Sequence, residues 1–327
     1  MHLRDLGEWE LLRRLSAYAP PGQFDDDAAL LNEQDGRQLV VNTDVLVEGV
    51  HFSDATIGPQ DLGWRAAAAN LSDLAAMGCT SVAGITVALV APGETPWSWV
   101  EGVYDGFRAA LTRYGGQLLG GDCSSGSQRL LSITALGRVA NGTAIRRGDG
   151  RPGDWLISSG PHGLSRLGLA LLLDEPEAAQ VSPELQQRAI QAHRRPQPRL
   201  DVVQALHRSR PTGRPWRVGG TDSSDGLAAA VKAIAATSGC GAVLGRSQLP
   251  IEPELAQLTA GEHWCLGGGE DFELVLALPP SWAEALLAAL PGTSRIGSLV
   301  EAEPGLVRWQ ESGEALAAAE QGFTHFR

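Results

Sequence analysis

The residues best suited to chemistry in this 327-residue chain are carboxylates. Asp25-Asp26-Asp27 and Thr43-Asp44 flank a polar turn at Gln34-Asp35-Gly36, and residues 28–31 and 38–41 read as apolar strands bounded by turn residues. Antiparallel pairing of the two strands would gather the carboxylates at one end of a hairpin. Two carboxylates about 4 Å apart repel by roughly 4 kcal/mol at an effective dielectric of about 20. Stability alone gives no reason to build that. Mg²⁺ takes carboxylate oxygens, keeps positions open for phosphate and would neutralise the cluster. An acidic surface turn is the other origin of such a run.

Asp73 lies beside Asn70 and Ser72 in an alanine- and leucine-rich helical stretch, where it either faces solvent or points into a site. Asp122 follows Gly120-Gly121, whose missing side chains would let the backbone approach a phosphate closely; a plain glycine turn is the alternative. Asp222-Ser223-Ser224-Asp225-Gly226 precedes a helix, so Ser224 or Asp225 can serve as its N-cap. That leaves the other aspartate without a purpose. Glu270-Asp271 follows three glycines at a strand start, where a turn alone would suffice. Five such motifs, none extended into a general acidic surface, point together to several hard cations bridging polyphosphate oxygens, the electrostatic mode of phosphoryl transfer. His51 and His162 could act as general bases, but each reads more simply as a hydrogen-bonding polar residue. No Ser-His-Asp or Cys-His arrangement stands out.

The elements that must hold these groups follow from periodicity and punctuation. Helices are expected at 8–15, 59–77, 97–114, 164–173, 183–192, 200–207, 227–237 and 281–290. Strands are expected at 82–90, 117–119, 130–139, 155–158, 272–278 and 295–299. The stretch 141–153 is rich in glycine and arginine and is the best domain boundary, giving an N-terminal domain, 1–140, and a C-terminal domain, 141–327. The class is α/β (α+β), and no internal repeat of 20–50 residues is visible.

Composition narrows the function. The chain is 43% hydrophobic and 20% charged, as in soluble globular proteins. Its net charge of −12 disfavours nucleic-acid binding, and an anionic ligand would need bridging cations. Cys79, Cys123, Cys240 and Cys265 have no CxxC spacing, which argues against zinc and disulfides and for a reducing, cytoplasmic setting. The first residues mix charge among apolar positions, so no signal peptide is expected, and the longest apolar run, 82–91, is too short for a bilayer. Lys232 is the single lysine. With no GxxxxGK[ST] and no VAIK-type lysine, P-loop NTPases and protein kinases are excluded.

In order along the chain, GEWELLRRL, DDDAALL, NTDVLVEGVHF, NLSDLAAMG, GGDCSSG, the Arg147…Pro152-Gly153-Asp154 connector, DSSDGL, GGGEDFEL and GFTHF resemble the thiamine-monophosphate kinase family. This is a branch of the superfamily that includes aminoimidazole ribonucleotide synthetase and selenophosphate synthetase. The TD-x-LVEGVHF and GGEDFEL blocks point to that branch. The resemblance implies a two-domain aminoimidazole ribonucleotide synthetase-like fold, with the N-terminal sheet pairing with a second subunit's in a homodimer and a C-terminal α/β domain closing the site. It implies ATP-dependent phosphorylation of thiamine monophosphate to thiamine diphosphate with Mg²⁺. By matching position, Asp27, Asn42, Thr43, Asp44, Asp73, Asp122, Asp222 and Asp225 would hold metal. Tyr104, Gly121, Asp122, Arg147 and Ser224 would contact ATP, with Arg146 the alternative to Arg147. His51, Glu270 and Phe323 would contact the thiamine phosphate.

Asp25, Asn42 and Cys123 depart from the family pattern, standing for a glycine, a Ser or Thr, and a threonine; none removes a carboxylate. The expected mechanism is in-line transfer. An ionised phosphate oxygen of thiamine monophosphate attacks the γ-phosphorus of ATP without a strong general base. Two other readings stay open: a related ATP-using enzyme indifferent to thiamine monophosphate, and a metal- or nucleotide-binding protein with a decayed site.

Overall fold

Alternation along Arg37–Val47 (β2) sends Val40, Asn42 and Leu46 inward and Thr43 and Val45 outward. The computed structural model describes residues 10, 13–15, 25–33, 36–178 and 180–317. Most of the helix expected at 8–15, the turn residues Gln34 and Asp35, and the GFTHF segment with Phe323 lie outside the described residues. β2 pairs antiparallel with Ala29–Asn32 (β1), as the hairpin reading requires, with Ala29 opposite Val41. Its other edge pairs antiparallel with Leu130–Ala140 (β5). Ser81–Ala91 (β3) lies between β5 and Gln117–Ser125 (β4), giving the order β1-β2-β5-β3-β4.

Two helices, Pro59–Ala76 (α1) and Trp97–Tyr114 (α2), bury one face of this sheet. Leu71, Leu74, Ile85, Val87 and Ile133 lose all exposure there, each gaining about 1.5–3 kcal/mol. The helices meet through Gly63 and Gly106, where a Cβ would run into the carbonyl oxygens of Val103 and Gln60. Among the described residues no helix of the first half covers the other face. Thr43, Val45 and Ala88 are exposed on it, and every residue of the edge strand β4 is exposed.

The second sheet has the order β11-β8-β10-β6-β9-β7. Its strands are Trp155–Ser158 (β6), Gly219–Asp222 (β7), Gly241–Leu244 (β8), Leu274–Leu278 (β9), Ser294–Val300 (β10) and Val307–Trp309 (β11). All pairs are antiparallel except β11 with β8. Around it lie Leu164–Leu172 (α3), Pro183–Arg194 (α4), Leu200–Ser209 (α5), Leu227–Thr237 (α6), Gly261–Gly267 (α7) and Pro280–Ala289 (α8). Ala75 and Ala76 at the end of α1 join the cluster formed by Ile157, Val202, Leu206, Leu276 and Trp282, so α1 packs into both halves. The connector docks on β7, with Arg146 bridged to Gly219.

Several elements depart from the sequence expectation. The Gly120-Gly121-Asp122 stretch is not a turn: β4 runs straight through it. β2 extends six residues past the expected end at 41, placing Asn42, Thr43 and Asp44 within a strand. Gly219-Gly220 also lie in a strand, where a Cβ would press on Gly150 and Leu276, so close packing selects glycine over β-formers. β8, α7 and β11 were not expected at all. β9 starts at Leu274, because Phe272 sits at φ +54° and cannot join the ladder. Among the described residues no helix is long and apolar enough to cross a membrane.

Candidate active site

The hairpin, α1 and β7 converge on one acidic cluster. Asp27 enters two residues before β1, Asp73 from the last turns of α1, and Asp222 from the end of β7. Carboxylate oxygens of these three lie within 4.8 Å of one another. Asp44, on the inward face of β2, is held by its backbone N–H donating to Asn70 Oδ1 at 3.2 Å. Burial pushes the carboxyls of Asp27, Asp44, Asp73 and Asp222 upward, Asp44 to about 6, and mutual repulsion adds to it. Asp225 lies at the exposed rim, within electrostatic reach of Asp44.

Donors neutralise the cluster only in part. Ser72 Oγ donates to Asp222 Oδ2 at 2.6 Å, and Asn42 Nδ2 to Asp73 Oδ2 at 2.6 Å. Arg147 Nη2 and Thr221 Oγ1 both donate to Asp27 Oδ1. Two buried oxygens of the cluster, Asp27 Oδ2 and Asn42 Oδ1, have no hydrogen-bond partner among the described residues. An orphaned buried acceptor costs about 1–3 kcal/mol, and two of them beside three mutually repelling carboxylates fit a hard cation.

Other expected site residues fall around this centre or away from it. The Arg147 guanidinium sits on Asp27, whereas Arg146 pairs with Asp26 at the surface, so geometry separates the two arginines. Ser224 Oγ donates to Asp222 Oδ1 at 3.1 Å. His51 Nδ1 accepts from the Val47 N–H at 3.0 Å, and its ring lies close enough to Glu270 to influence that carboxyl. Thr43 points to the open face, where its hydroxyl meets Thr134 at 2.8 Å. Asp122 shares that face, in register with Ala88 and Ser132. It is three strands from β2, about 14 Å, and is not gathered into the cluster within this chain. Tyr104 is half-buried on α2 near Cys123. The room that Gly121 leaves is taken by the Val87 carbonyl, so strand packing already demands glycine there.

Sequence reasoning noted Asn70 and Ser72 but gave them no role, counted Asp26 in the acidic run without a role of its own, and passed over Arg65 and Thr221. Asp26 accepts the Arg147 N–H at 2.9 Å and so fixes the loop. A signal was present in α1: a helix apolar almost all round is buried, and each polar residue inside it needs a partner. By the same rule Asp73 is turned toward the site and away from solvent.

Comparison with known proteins bears on what this geometry serves. Residues 25–139 match the family model of the AIR synthase related protein N-terminal domain, and residues 151–309 that of the C-terminal domain. The chain is 49% identical to a thiamine-monophosphate kinase of Prochlorococcus marinus, over 99% of this chain and 97% of that protein. It is 48% identical to that of Synechococcus elongatus, over 99% and 98%. Among solved structures, AaThiL complexed with AMPPCP and TMP matches with a TM-score of 0.85 at 29% identity, covering 99% of each chain.

Proposed function

The chain belongs to the thiamine-monophosphate kinases of the AIR synthase related family, and we propose that its acidic cluster carries out their reaction by direct, metal-assisted phosphoryl transfer. The activity is ATP-dependent conversion of thiamine monophosphate to thiamine diphosphate. The observation that carries the metal-assisted reading is the pair of orphaned buried oxygens, Asp27 Oδ2 and Asn42 Oδ1, among like-charged carboxylates.

Asp27, Asn42, Asp44, Asp73, Asp222 and Asp225 would hold Mg²⁺, which supplies charge neutralisation between two phosphorylated substrates. Thr43 and Asp122 complete the metal set only across the open face of the first sheet, the face we assign to a second copy of the chain. Exposed Leu31 on β1 and Val45 on β2 support a homodimer there. Arg147, Ser224, Gly121 and Tyr104 are assigned to ATP, and Glu270, His51 and Phe323 to thiamine monophosphate. The four cysteines are free, which agrees with a cytoplasmic setting. We divide the chain at 140/141, just after β5.

Chemistry at this centre needs no general base, since the acceptor phosphate is already ionised at neutral pH. The residues around the cluster agree. His51 spends Nδ1 on a backbone N–H, and the remaining nearby groups are carboxylates and a guanidinium. What the chain contributes is positioning: Ser72, Asn42 and Asn70 fix the carboxylates, and Asp26 fixes the loop of Arg147.

The test is a product assay with ATP, Mg²⁺ and thiamine monophosphate, resolving thiamine species by chromatography. Thiamine diphosphate that EDTA abolishes is expected. ATP hydrolysis unaffected by thiamine monophosphate would refute the substrate, and turnover that survives EDTA would refute the metal.

A further inference from the structure

Arg65 is the largest charged side chain to be buried outright, 2% exposed, and it has no role in the mechanism above. It projects from α1 across the junction of the two halves. Its guanidinium donates to the His193 carbonyl, contacts His193 Nδ1 at 3.2 Å and ion-pairs with Glu270. Ser165 Oγ shares His193 Nδ1 at 3.3 Å. Burial, then the charge of Arg65, pushes His193 down to about 3, so the imidazole is neutral and can accept from Arg65.

Glu270 is held from its other side in a conformation that side chains rarely adopt. Its φ is +58° and that of Phe272 is +54°, a left-handed region that non-glycine residues occupy only under strain. The segment persists because Glu270, Asp271 and Glu273 are each pinned. The Glu270 N–H donates to the Ser224 carbonyl at 2.7 Å. Asp271 accepts from the N–H groups of Gly163 and Ser165, at 2.7 and 2.9 Å. The Glu273 N–H donates to Ser223 Oγ at 3.2 Å. Strain maintained by this many contacts marks a position that function needs. Glu270 is still 36% exposed while Arg65 beneath it is closed to solvent, so a ligand can reach the carboxylate but not the guanidinium.

α1 ties this pair to the metal centre. Arg65 and Asp73 stand eight residues apart on one rigid helix, about 12 Å, and Ser72 of the same helix holds Asp222. We propose that Arg65 is a positioning residue for the acceptor substrate: it fixes the Glu270 carboxylate at a set distance from the acidic cluster, so that Glu270 meets the amino or cationic part of thiamine monophosphate while the phosphate lies at the cluster. Burial works to raise the Glu270 carboxyl, but Arg65 outweighs it and keeps the group ionised, an acceptor suited to a donor or cationic partner. The inference rests on the assignment of Glu270 to thiamine monophosphate made above.

The experiment is steady-state kinetics of wild type, Arg65→Lys, Glu270→Gln and the double variant, with each substrate varied in turn. Arg65→Lys keeps the charge but loses the fork. It is expected to raise KM for thiamine monophosphate about tenfold, with KM for ATP within about twofold. In the Glu270→Gln background the same change is expected to have little further effect, because both act through one carboxylate. Equal losses for both substrates, a lowered melting temperature without a KM split, or multiplicative effects in the double variant would overturn the inference. If Arg65→Lys does not accumulate folded, His193→Gln loosens the same guanidinium and should give the same split at two- to threefold amplitude. Wild type inactive on thiamine monophosphate would sink the functional reading itself; an active wild type without the split sinks only the role of Arg65.

Discussion

Arg147 and Thr221 both donate to Asp27 Oδ1, and the second oxygen of that carboxylate is buried without a partner. One half of the group is answered by the chain's own cation and the other half is not. The neighbouring Asp73 takes one side-chain donor, from Asn42, and Asp222 takes donors from Ser72 and Ser224, yet the repulsion between the two carboxylates is unrelieved.

Divalent cations should therefore stabilise the fold itself, apart from any catalysis. At about a hundredfold excess over its dissociation constant, Mg²⁺ should contribute about 2.7 kcal/mol and raise the melting temperature by about 5 °C. Thermal melts with Mg²⁺, with EDTA and with K⁺ at matched ionic strength check this. Equal transitions in all three would count against a metal site in the cluster.

Asp73→Asn separates the functional from the structural contribution of a buried carboxylate. It removes a like charge from the cluster and keeps a side chain of the same shape, so the metal-free protein should melt no lower than wild type. Turnover should fall by about 10²–10³, the usual loss when one electrostatic contributor to a transition state is deleted. A large drop in stability, or near-normal turnover, would contradict this role.

Much of this was readable from residue types, and the misses share a cause. The hairpin, α1, α2 and α6 follow from local periodicity, and the acidic motifs stand out because repelling carboxylates need a reason. What local sequence could not show was exposure of the partner surfaces. Asp122 and Thr43 read like the other acidic-motif residues, yet strand alternation and sheet order place them on the open face, a consequence of pairings between residues as distant as Asp44 and Ile133. Arg65 was passed over because its partners, His193 and Glu270, lie 128 and 205 positions away. The Gly120-Gly121 run of β4 and the Gly219-Gly220 run of β7 were not read as strand, because glycine at 121 and 219 admits a neighbouring backbone, which propensity does not encode.

His162 should make stability depend on acid. It is fully buried, and burial pushes its imidazole down to about 4 from the ordinary 6.5. A depressed value means that the folded state excludes a proton that the unfolded chain accepts. Its contribution is complete above about 6.5 and is lost as the pH falls toward 4, up to about 3 kcal/mol. His162→Gln can still bond Ser158 but does not titrate. The stability difference between wild type and variant, from denaturant titrations at several pH values, should favour wild type most at neutral pH and shrink through this window. A constant difference would show that His162 is not held neutral.

Gly121→Ala tests the nucleotide end of the site as Arg65→Lys tests the acceptor end. A Cβ at Gly121 would collide with the Val87 carbonyl, so the parallel β3–β4 pairing must open. β4 is an edge strand with every residue exposed, which confines the damage to about 1–3 kcal/mol. The displacement carries Asp122 with it and shifts Cys123 against Tyr104, which it already influences. The expected result is a folded protein with a lower melting temperature, a raised KM for ATP and an unchanged KM for thiamine monophosphate, the converse of the Arg65→Lys pattern. Unaltered ATP affinity in a destabilised variant would remove Gly121 from the nucleotide site and leave a glycine required by strand packing alone.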